Sequence, residues 1–169
     1  MKKLSKIVAL LLAGALTMLL FTACGGGGGN YGTRDSDKEA ALFDSVKSGR
    51  QVSAQVTAND PTLCETADRH LKEDLNTDLR IFGTQLVANV HVDGEEGKYL
   101  IITATANYTG GPLSEATLAF LETLVGKKLP GTNVNVKGTG SWIDVGVVVR
   151  NVGTQSYMAV AFKIENPNK

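Results

Sequence analysis

An α+β domain is the fold class this sequence predicts: an antiparallel sheet of two hairpins plus short strands, packed against about three helices. Three observations predict it. Three segments repeat apolar residues at helical spacing behind capping residues. Two pairs of strand-like segments are each joined by a glycine-bearing turn. The second pair, 142–150 and 156–164, is apolar at nearly every position, as expected of central strands covered on both faces.

The chain starts differently from a domain. Lys2, Lys3 and Lys6 precede an apolar stretch, 7–20, that only Gly14 and Thr17 interrupt. A basic end followed by a short apolar run reads as an export signal, since a spanning helix wants about 20 apolar residues. Leu20-Phe21-Thr22-Ala23-Cys24 then runs into five glycines, Gly25 to Gly29. This run resembles the lipobox of bacterial lipoproteins. The resemblance implies cleavage between Ala23 and Cys24 and acylation of Cys24 by a thioether-linked diacylglycerol, often with a third, amide-linked chain. At about 0.8 kcal/mol per buried CH₂, two or three chains hold a protein to a bilayer where one would be marginal. The expected organisation is a signal peptide at 1–23, a Gly-rich flexible tether at 24–36 and a single extracytoplasmic α+β domain at 37–169. The membrane is then a partner through the N-terminal lipid, at the extracytoplasmic face.

Charge narrows the partners. The three signal lysines leave with the peptide, so 17 basic residues become 14 against 17 acidic ones, a net charge of −3. A phosphate-binding surface needs clustered Lys and Arg, and the mature chain has one adjacent basic pair, Lys127-Lys128. Nucleic acid is excluded as an expected partner.

In order along the chain, Asp35, Ser36 or Asp37 caps a first helix reaching Lys47. Leu42, Phe43 and Val46 form its apolar face, and Gly49 is placed for a left-handed stop. Residues 51–57 alternate like a strand. Asp60-Pro61 opens a second helix, because Asp caps and Pro is preset for the first turn. Leu63, Ala67, Leu71 and Leu75 recur every four residues, with Glu65, Asp68, Arg69, Lys72 and Glu73 as a solvated charged face. Residues 86–92 alternate, turn at 93–97 and return as 99–108. Ser114 caps a third helix with Leu118, Leu121, Leu124 and Val125, stopped by Gly126. A short strand at Val134 and Val136 follows, then the two apolar strands around a loop at 151–154.

Chemistry-bearing residues are few. Cys64, alone once Cys24 is acylated, reads either as a nucleophile or as a small buried apolar residue. His70 and His91 lack any HxxxH, HxH or CxxC company, so neither a metal site nor a cofactor is expected. Gly138-Thr139-Gly140-Ser141-Trp142 is not a nucleophile elbow and reads as a turn before a strand. Trp142 and Asp144, two apart on one strand, make a candidate ligand patch within reach of Tyr157; the alternative is a core Trp beside an edge-facing Asp.

A second resemblance rests on residues 39–46 with Arg50, 60–67, 145–149 and 157–162. Together they look similar to the CAP superfamily of secreted α-β-α sandwich proteins. This implies helices around a central sheet, while the histidines that line the CAP cleft have no counterpart here. The expected role is therefore binding rather than catalysis, as a lipid-anchored envelope module for a protein or glycan ligand. The alternatives are a degenerate enzyme-like domain, CAP-like or carbohydrate-directed with Asp144 and Glu122 converging, and a structural cell-wall accessory.

Overall fold

The computed structural model describes residues 31–169 apart from 77–79, 82–83, 111–114 and 132. The signal peptide, Cys24, the five glycines and the Ser114 cap lie outside the described residues. The chain forms β1 (Thr33–Arg34), α1 (Ser36–Lys47), α2 (Pro61–Leu75), β2 (Arg80–Ile81), β3 (Thr84–Gln85), β4 (Ala88–Asp93) and β5 (Tyr99–Asn107). It continues with α3 (Glu115–Lys128), β6 (Asp144–Val152) and β7 (Gln155–Glu165). Five strands make one antiparallel sheet in the order β1-β6-β7-β5-β4, while β2 and β3 pair separately. This is the expected α+β class.

The sheet is covered on both faces. On one, Leu42, Phe43 and Val46 of α1 and Leu118, Leu121 and Val125 of α3 pack with Val145, Val147, Val149, Val160 and Phe162. On the other, Leu63, Cys64, Ala67 and Leu71 of α2 pack with Val148, Tyr157, Ala159 and Ala161. Strand alternation sends odd residues of β6 to the α1/α3 side and even ones to the α2 side, which is why both β6 and β7 read as unbroken apolar runs. Gly146 makes the α2 contact close: a Cβ there would stand 2.5 Å from the Cys64 nitrogen and from the Leu63 Cβ.

Local signals place the helix starts. The Asp35 carboxylate accepts from the Lys38 N–H at 3.0 Å and the Asp60 carboxylate from the Leu63 N–H at 2.8 Å, each closing an N-terminus. Gly94, at φ +82°, turns β4 into β5. The outer edge of β6 beyond β1 is closed by groups that are not strands. Asn59 donates to the Val147 carbonyl and accepts from its N–H, and the buried Glu39 accepts from the Val149 N–H at 3.1 Å. A sheet edge left open would invite pairing with another chain.

Several expectations give way. Residues 31–36, read as the end of the tether, carry β1 and the cap of α1. Residues 51–57 form turns with one bridge, Val52 to Trp142, because Gln51 and Ser53 spend their backbone bonds on Trp142. Val134 and Val136 form no strand. The first helix ends at Ser48 in right-handed conformation rather than on a left-handed Gly49. Gly126 does not stop the third helix, which runs on to Lys128. The strand β6 extends through Asn151 and Val152, so the turn falls at Gly153 and Thr154.

Candidate functional site

The three residues of the candidate patch do not share a surface. Trp142 is fully buried on the α1/α3 side, stacked on Phe162 with ring centroids 3.8 Å apart, and its Nε1 donates to the Val136 carbonyl at 2.9 Å. Tyr157 is buried on the α2 side, its hydroxyl donating to Gln155. Asp144 is half-buried with Lys163 Nζ 3.9 Å away. The alternation that would put Trp142 beside Asp144 does not extend to Trp142, which lies before β6 begins. Asp144 and Glu122, the other candidate carboxylates, each face a lysine of their own, Lys163 at 3.9 Å and Lys137 at 2.7 Å.

Cys64 is buried under α2, where its thiol contacts the Val147 carbonyl at 3.5 Å. Burial pushes the thiol up to about 11, with Arg34 opposing. A thiol held so high is a packing group. In the Cys24→Ala protein, where Cys64 is the one cysteine left, a disulfide reagent at about pH 8 should react at least about 100-fold more slowly with the native than with the unfolded chain. Equal rates would show an accessible, reactive thiol.

The side chains that converge are polar ones between α2 and the β4 edge of the sheet. His70, Glu73 and Asp74 project from α2, one helical turn apart; Asn89, His91 and Asp93 alternate along the facing side of β4. The rings of His70 and His91 stack with centroids 4.0 Å apart and planes 16° from parallel. His91 Nε2 lies 2.9 Å from Asp74 Oδ2, which also accepts from the Thr105 hydroxyl at 2.5 Å. The Asn89 amide donates to Asp74 Oδ1 at 2.9 Å. His70 is held at both nitrogens, Nδ1 2.9 Å from Glu73 Oε2 and Nε2 2.7 Å from Asp93 Oδ2. Arg69 reaches Glu73 at 3.4 Å and Asp93 at 3.5 Å from the exposed side.

Electrostatics favour ionised carboxylates here. Burial alone would raise the Asp74 carboxyl, but hydrogen bonds from His91, Thr105 and Asn89 leave it below its ordinary value. The His70 ring beside it lowers Glu73. Three carboxylates, Glu73, Asp74 and Asp93, face one guanidinium, so the cluster is negative before either histidine is charged. His70, Glu73 and His91 each offer a ligand atom within 4.8 Å of the others.

Nothing local to either histidine signals this meeting. His70 sits in what reads as a solvated helix face and His91 in a half-polar strand, and only the packing of α2 across β4 and β5 joins them. The available signal was weaker: polar residues at every second position from Asn89 to Asp93 mean a strand face that something polar covers. Among the described residues no helix is long and apolar enough to cross a membrane. Comparison with protein-family models, curated proteins and solved structures returns no match to this chain.

Proposed function

We propose that this chain is a lipid-anchored protein of the bacterial cell envelope, held at the extracytoplasmic face by Cys24, whose domain works by binding at the α2–β4 cluster. The binding reading is carried by the convergence of two histidines and three carboxylates at one rim of a sheet whose two faces otherwise carry apolar core clusters and the Asp68–Arg150 pair. Anchoring is supported by the Leu20 to Cys24 run and by where the domain begins. Arg150 Nη1 donates to the Gly32 carbonyl at 3.0 Å, so the chain is already tied to the sheet there. Six residues separate Cys24 from Tyr31, seven Cα–Cα steps and a reach of at most about 25 Å. The ligand or partner is met near the bilayer.

Intact mass and detergent partitioning of the natively expressed protein, beside Cys24→Ala, test the anchor. The wild type should lose Met1 to Ala23, gain diacylglyceryl mass and enter the detergent phase, while the variant stays in water. Identical behaviour of the two proteins would sink the lipoprotein reading.

A further inference from the structure

We propose that His70, Glu73 and His91 form a binding site for one divalent transition-metal ion of the zinc type. This names the ligand class of the α2–β4 cluster and rests on the reading of that cluster as the binding site. Three observations carry it.

The first is the disposition of ring nitrogens. Asp93 holds His70 at Nε2 and Asp74 holds His91 at Nε2, at 2.7 and 2.9 Å. A metal-binding imidazole characteristically donates its other N–H to a carboxylate, which fixes the tautomer and aims the free nitrogen. Arg69 Nη2 also stands 3.1 Å from His70 Nε2 and the Asn89 amide 3.4 Å from His91 Nε2, so both Nε2 atoms are crowded and the two Nδ1 atoms are the proposed ligands. His91 Nδ1 has no hydrogen-bond partner among the described residues. His70 Nδ1 lies 2.9 Å from Glu73 Oε2.

The second is the donor inventory. A neutral imidazole has one N–H, yet His70 meets a carboxylate oxygen at each nitrogen. When the proton is on Nε2 for Asp93, the Nδ1 lone pair faces the Glu73 oxygen, and either a second proton or a metal ion between them satisfies both. A metal ion there takes both as ligands and is offset by the negative charge of the cluster. Two imidazole nitrogens and one carboxylate oxygen suit zinc, with a fourth position left to water or a ligand.

The third is an orphan. The Thr103 hydroxyl is fully buried without a hydrogen-bond partner among the described residues, and Thr103 stands directly across from His91 in the β4–β5 register. A water on the metal's fourth position would supply a partner on that face. Ligand atoms in a tetrahedral zinc site stand about 3.3 Å apart, from bonds near 2.0–2.1 Å. Closing from 4.8 Å requires the stacked rings, now 16° from parallel, to open widely so that both in-plane lone pairs meet at one point, and Glu73 to turn inward. Glu73, with its side chain 51% exposed, turns inward by giving up its 3.4 Å contact to Arg69.

The test uses the full chain in detergent, stripped with a chelator and titrated with zinc sulfate by calorimetry, with cobalt as the spectroscopic probe. The expected result is one equivalent bound, with visible cobalt bands of a four-coordinate nitrogen/oxygen site. Binding should be lost in His91→Ala and weakened at least about tenfold in Glu73→Gln. His91 is half-buried and its variant can lose the fold, so circular dichroism accompanies each titration. Glu73→Gln, altered on the exposed side, keeps the question decidable. No saturable uptake by wild type, or uptake equal in folded Glu73→Gln and wild type, overturns the site. The Cys24 mass and partition result is independent of metal, so failure of the metal site and failure of the envelope reading register in different experiments.

Discussion

Replacing Asp68 with alanine should lower the free energy of unfolding by about 3–5 kcal/mol, measured from denaturant midpoints at unchanged slope. The residue lies on the face of α2 that reads as solvated, yet its side chain is 8% exposed and that of Arg150 7%. Arg150 donates from Nε to Oδ1 at 2.5 Å and from Nη2 to Oδ2 at 3.0 Å, a fork matching the carboxylate plane. Its remaining nitrogen holds the Gly32 carbonyl, and Lys72 adds a second cation to Asp68 at 2.7 Å. One ion pair thus joins α2, β6 and the start of the domain. Truncating Asp68 leaves a buried guanidinium without its anion, the costly half of a broken buried pair. Replacing both partners by apolar residues of similar volume should recover most of the loss, because a buried pair contributes little net stability once its desolvation is counted. A loss below about 1 kcal/mol in Asp68→Ala would show that the pair is not shielded from water.

The same pair predicts acid sensitivity. Burial pushes the Asp68 carboxyl up, but Arg150 and Lys72 outweigh it and hold the group below its ordinary value. Asp35, bonded by the Asn151 amide and the Lys38 N–H, is lowered to about 2. A carboxyl depressed on folding contributes stability that is full above its unfolded value, about 3.9, and is lost as pH falls toward the folded value. The wild type should therefore lose stability from about pH 4 downward, and Asp68→Ala should lose less over that interval. Parallel acid transitions would contradict it.

Trp142→Ala should be comparably damaging, at about 3–5 kcal/mol, and should act through stability alone. The indole lies flat on Phe162, bonds Val136 through Nε1, and its backbone N–H and carbonyl hold Gln51 and Ser53. Its removal opens a cavity where two loops meet the sheet. Trp142→Phe keeps the stack and leaves the Val136 carbonyl unpaired, for a smaller loss of about 1–3 kcal/mol. Thermal melts rank the three proteins. Equal stability of Trp142→Ala and wild type would return Trp142 to the surface as a ligand contact.

What the sequence by itself determined is what neighbours along the chain decide. Asp35 and Asp60-Pro61 mark helix starts because a cap needs only the next three residues. The β4–β5 turn at Gly94 and the doubly covered β6–β7 pair were legible for the same reason, as was burial as one of the two readings of Cys64. Residues 51–57 misled because short alternation suits a loop that buries Gln51, Val52 and Val56 as well as it suits a strand. Only the tertiary structure decided the strand order, the pairing of Asp68 with Arg150, the separation of Trp142 from Tyr157 onto opposite sheet faces, and the meeting of His70 with His91. Each depends on which distant segment lies across from a side chain. Periodicity reports which face a residue occupies, whereas the residue waiting on the other side is supplied by a part of the chain that no local pattern encodes.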